Sequence, residues 1–90
     1  MHPLLKKFCG QYFVRFYEVY TTLDEVAEIG LCGVTKEERK ELALVLDEVT
    51  SSHYSADDLV KLWNSSPADV WFRDGEEVRM IFKHARNMIG

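Results

Sequence analysis

A chain of 90 residues can enclose one hydrophobic core and is too short for two. With 47% hydrophobic and 29% charged residues it reads as one globular domain, residues 1–90, with no apolar run long enough to span a membrane. The formal net charge of −4 argues against nucleic acid as a partner, because phosphates demand a surplus of lysine and arginine.

In chain order, apolar residues first recur at Leu5, Phe8, Tyr12, Phe13, Phe16, Tyr17 and Tyr20. Steps of three and four predict one helix over 4–20 with a broad inward stripe, although Gly10 weakens it and the aromatics would suit a strand over 12–20. Thr22 with Glu25 has the form of a capping box. It opens a short helix turning Leu23, Val26, Ala27 and Ile29 inward, which Gly30 is expected to end in a left-handed conformation. Thr35 with Glu38 starts a third helix, with Leu42, Val45, Leu46 and Val49 as its core face. Ser55 with Asp58 starts a fourth, carrying Leu59, Leu62 and Trp63. Ser66-Pro67 reads as N-cap and first position of a brief helical turn. The segment 69–72 fits either an extended stretch or a single turn. Asp74 with Glu77 starts the last helix, where Val78, Ile81, Phe82, Ala85, Met88 and Ile89 form the cleanest stripe. The expected fold is all-α: about five short helices around one core, with a kinked Ser-Ser-Pro aromatic turn before the last.

Catalytic chemistry has little support in these residues. None of His2, His53 and His84 has a nucleophile or carboxylate at a spacing that builds a catalytic pair, so no enzyme is expected. Asp57 and Asp58 are adjacent and point about 100° apart on a helix, which is poor metal geometry. The isolated glycines build no phosphate cradle. No metal or other cofactor is expected. Cys9 and Cys32 lack metal-ligand spacing and read as free, buried thiols of a reducing compartment. The N-terminus lacks the apolar run of a signal peptide, which points to the cytoplasm.

Charge is distributed unevenly. Between Glu18 and Asp58 eleven acids face three bases, a formal −8 over that segment. Capping and solvated faces account for part of it. The remainder would be an acidic surface suited to a basic protein cleft, with Glu25, Glu28, Glu37, Glu41 and Asp57 as contact residues. Tyr54, Trp71 and Phe72 are the aromatic anchors available to it, whereas Trp63 falls on a helical stripe and belongs to the core. A small helical adaptor, or a helix-turn-helix domain reading DNA with Arg79, Lys83 and Arg86, is the alternative from another class.

The run from Tyr54 to Arg86, YSADDLVKLWNSSPADVWF followed after one residue by DGEEVRMIFKHAR, resembles the C-terminal half of small bacterial immunity proteins of contact-dependent growth-inhibition systems. CGQYFVRFYEVYTTLDEVAE resembles the same group more loosely, and Leu31-Cys32-Gly33-Val34 departs from it. Colicin-type immunity proteins share the small size and acidity but fit the tryptophan-centred stretch less well. The resemblance implies a monomeric inhibitor that binds a cognate toxin domain one-to-one by covering its active site or substrate surface. A nuclease toxin, basic where it holds phosphates, would meet the acidic surface.

Overall fold

The structure is a computed structural model that describes residues 1–13, 15–68 and 71–90. Among these residues six helices follow one another: α1 Pro3–Cys9, α2 Phe16–Val19, α3 Leu23–Leu31, α4 Glu38–Val49, α5 Ala56–Asn64 and α6 Gly75–Ile89. Among the described residues there is no strand, so the fold is all-α. Among the described residues no helix is long and apolar enough to cross a membrane. The longest helix, α6, packs against α3, α4 and α5, and α1 lies across α3 and α4.

Local capping chemistry places most helix starts. Thr22 Oγ1 accepts from Glu25 N at 3.2 Å while the Glu25 carboxylate accepts from Thr22 N at 3.3 Å. Ser55 and Asp58 exchange the same pair at 3.1 and 3.0 Å. Thr35 and Glu38 do so too, at 3.1 and 3.0 Å, across the turn that leads into α4. Each box satisfies N–H groups that have no partner inside the helix. At α6 the expected partner is corrected: Asp74 accepts from Glu76 N at 2.9 Å, one residue earlier than a capping box with Glu77 requires.

The single first helix expected over 4–20 is two. α1 ends at Cys9, the chain turns through Gly10 and Gln11, and α2 begins only after Arg15, whose φ of 65° is left-handed. A helix over 4–20 would be about 25 Å long, close to the 29 Å longest extent of the molecule. It could not wrap. Broken at Gly10, the segment bends so that Tyr12 packs edge-on to Trp63 at 4.9 Å and Phe16 reaches Phe72 at 6.2 Å. The Tyr12 hydroxyl donates to the Val26 carbonyl at 2.7 Å, tying the bend to α3. Phe13 and Tyr17, expected on the inward stripe, are exposed in consequence.

Gly30 does not end α3. It stays within the right-handed helix, and α3 closes one residue later at Leu31. Its reason is packing: a Cβ there would lie 2.3 Å from Cε2 of Phe8, so glycine lets α1 lay its aromatic ring directly on the helix. Ser66-Pro67 starts no helix either. The Ser66 hydroxyl donates to the Trp63 carbonyl and accepts from Ala68 N, folding the chain back after α5. Of the segment 69–72, Asp69 and Val70 lie outside the described residues; Trp71 and Phe72 are not helical.

The core gathers around Trp63, which is 0% exposed. The ring centres of Tyr12, Phe72 and Phe82 lie 4.9, 5.0 and 5.8 Å from its own. Leu42, Leu46 and Val49 of α4, Leu59 of α5, and Val78, Ile81, Phe82 and Ala85 of α6 are buried as their stripes predict, while Val45, Leu62, Met88 and Ile89 border the core half-covered. Cys9 is buried, and burial pushes its thiol up to about 12, which keeps it inert. Cys32, expected to be buried, is exposed.

Two surface carboxylates tie this frame to pH. The Lys7 ammonium 2.7 Å from Glu38 and the Thr35 N–H hold that carboxyl below its ordinary range, and the Ser55 N–H does the same for Asp58. Both bind a proton less readily in the fold than in the open chain. The stability they add is therefore complete above the ordinary carboxylate range and is lost as pH falls through their lowered values. Melting temperature should begin to drop below about pH 4. The Glu38→Gln/Asp58→Asn variant should start lower and fall less steeply. Parallel acid profiles for the two proteins would assign the loss to other carboxylates.

Candidate partner-binding surface

Three surface features stand apart from the core. The first is an aromatic recess formed by Phe16, Tyr17, Trp71, Phe72, Arg73, Asp74 and Glu77. Asn64, the last residue of α5, builds it: its side-chain oxygen accepts from Phe72 N and its amide donates to Phe72 O, both at 3.2 Å. This two-point clamp holds the backbone at Phe72 and turns that ring inward, edge-on to Trp63 at 5.0 Å. Its neighbour Trp71 is turned out, 74% exposed, beside Tyr17, which is 61% exposed. Of the two rings expected as anchors, Trp71 faces solvent and Phe72 packs inward; the sequence assigns no role to Asn64, because a side chain reaching eight residues along has no periodic signature.

The second is a groove of about 420 Å³ between the start of α1, α4, the α4–α5 turn and α5. Leu5, Leu44, Val45, Val49, Tyr54 and Leu62 give it apolar walls, and Glu41 and Glu48 stand on its rim. Leu44 is 70% exposed. Its signal in the sequence was an apolar residue displaced from the Leu42, Val45, Leu46, Val49 stripe, which went unused. The third feature, a smaller depression, is lined by Glu28, Leu31, Cys32, Arg39 and Met88. There Arg39 donates to the Leu31 carbonyl at 3.4 Å, a cation set against the C-terminal end of α3.

The expected contact residues do not converge on one face. Glu41 and Tyr54 share the groove, and Trp71 and Phe72 share the recess. Glu25 is used by its capping box, and Glu28 lies at the third depression. Glu37, just before α4, and Asp57, in the first turn of α5, are exposed, and their carboxylates make no hydrogen bond or ion pair among the described residues. Other acids are tied to the fold: Asp24 pairs with His84, Asp47 with Arg86 at 2.9 Å, and Glu41 lies 3.6 Å from His2. Among the described residues no cluster of His, Cys, Asp and Glu is arranged to hold a metal ion. Comparison of the chain with protein-family models, with curated proteins and with solved structures returns no match in any of the three.

Proposed function

We propose that this chain is an inhibitor of the immunity type, binding a cognate growth-inhibition toxin domain, of nuclease character, through its exposed surface. The observation that carries the reading is Trp71: a large ring turned to solvent beside Tyr17, on backbone that Asn64 fixes, within the stretch that resembles such immunity proteins. Rigid, exposed aromatics are the side chains that dominate binding energies, because little freedom is lost when they are covered. The net charge of −4 favours a basic partner.

The DNA-reading alternative loses its basic helix. Arg79 donates to the Tyr54 carbonyl at 2.8 Å and pairs with Glu76, and Arg86 is held by Asp47. Only Lys83 of that trio makes no such contact among the described residues.

The test is co-expression with a candidate toxin domain, sought in the reading frames neighbouring this chain's own, scored as growth rescue, together with the affinity of the purified pair. Trp71→Ala should weaken binding by about 2 kcal/mol or more and shift stability by less than about 0.5 kcal/mol. No rescue by the wild-type chain, or tight binding to duplex DNA at physiological salt, would sink the proposal.

A further inference from the structure

The groove between α1, α4 and α5 has a one-sided charge. At about 100° per residue, Glu37, Glu41 and Glu48 lie within roughly 60° of Leu44 on the side that carries Val45, the groove side. Lys36 and Lys40 lie on the other flank of Leu44, with Asp47, which Arg86 occupies. Among the described residues no lysine or arginine lines the groove, whose α1 end is closed by Met1 and His2. The carboxylates of Glu37 and Glu48 make no hydrogen bond or ion pair among the described residues, and the neighbour of Glu41 is His2, charged only when protonated.

An apolar trough with carboxylates on one rim selects its occupant. A neutral apolar ligand would strip water from Glu41 and Glu48 and return nothing. An anionic membrane surface or an acidic peptide would be repelled. A second copy of this acidic chain is disfavoured in the same way. We propose that the groove binds a basic amphipathic segment of a protein partner, its apolar side chains resting against Leu44, Val45 and Leu62 while lysine or arginine meets Glu41 and Glu48. Recognition would then use an apolar face for affinity and the charged rim for register. The inference deepens the inhibitor reading and rests on it for the partner's being a toxin; the chemistry of the segment follows from the groove itself. The groove shares no lining residue with the Trp71 recess, so the two surfaces are separable by mutation.

The experiment titrates the full, 15N-labelled chain with a synthetic amphipathic leucine/lysine peptide and follows amide shifts. A leucine/glutamate peptide of the same pattern is the control. Saturable shifts should centre on Leu44, Val45, Glu48, Tyr54 and Leu62 with the lysine peptide and be absent with the glutamate one. Leu44→Ser/Glu48→Lys should weaken binding by about tenfold or more. The single Glu48→Lys variant, altered at one solvent-facing side chain, keeps the measurement valid if the double variant folds poorly. An equal response to both peptides, shifts centred on Trp71 and Tyr17, or no saturable response would overturn the inference. The same variants in the growth assay separate the two readings. Lost rescue supports the groove as the toxin's surface, and intact rescue removes the toxin from it. Peptide binding by a wild-type chain that never rescues would sink the inhibitor reading and leave the groove standing.

Discussion

Replacing Trp63 by alanine should cost about 3–5 kcal/mol of folding stability, the range for truncating a buried aromatic. The indole is completely covered, and it is the point where separate parts of the chain meet: Tyr12 from the bend after α1, Phe72 from the clamped turn and Phe82 from α6. Its loss leaves a cavity whose walls belong to segments that cannot all move inward together, so little of the void would be recovered by relaxation. Set against the roughly 5–15 kcal/mol of a typical small domain, that is a large share of the total. Trp63→Phe, which keeps most of the ring contacts, should lose less. Urea denaturation followed by far-ultraviolet circular dichroism measures all of this, and Trp71→Ala serves as the paired control at an exposed ring. A Trp63→Ala midpoint equal to wild type would show that the three rings close over the gap and that the core is not centred where its geometry puts it.

What was legible in the sequence was local. Thr22 with Glu25, Thr35 with Glu38 and Ser55 with Asp58 announce helix starts because each interaction spans only three residues. The stripe of α6 was legible because a long helix packed against three others repeats its inward face several times. The break after Cys9 was not, since Phe8, Tyr12 and Phe16 keep helical spacing on either side of a bend that Trp63, far along the chain, rewards. Gly30 misled for a related reason. The same residue that ends helices by its left-handed freedom can also serve by its missing side chain, and only the crossing of α1 decides between the two. The candidate site was legible as chemistry and not as place. Glu37, Glu41, Asp57 and Trp71 are exposed, but their grouping depends on which helix faces lie side by side. Glu25 illustrates the competition: its role as a helix cap and its proposed role at an interface were both readable, and in the fold the cap holds the carboxylate.

Gly75→Ala sets two effects of opposite sign against each other. In a helix interior alanine is favoured over glycine by about 1 kcal/mol; Gly75 is the first residue of α6, so propensity alone predicts stabilisation of at most that size. Space predicts the reverse. A Cβ at Gly75 would stand 1.9 Å from the carbonyl oxygen of Ala56 and 2.6 Å from its Cα, and both are backbone atoms of the first turn of α5. At Gly30 the obstruction is the edge of the Phe8 ring, a side chain with some freedom to tilt. Ala56 has no such freedom, because its helix is pinned on either side by the Ser55–Asp58 box and by Arg79 donating to the Tyr54 carbonyl. The contact can be relieved only by moving α5 against α6, which would open the packing between Trp63 and Phe82. Overpacking of this kind commonly costs about 1–3 kcal/mol and exceeds that when backbone must shift. The net expectation is a loss of about 2 kcal/mol or more for Gly75→Ala, and a smaller loss for Gly30→Ala. Urea midpoints of the two variants beside wild type decide the matter. A Gly75→Ala protein as stable as wild type, or more so, would mean that the ends of α5 and α6 are not in contact and that helix propensity alone governs this junction.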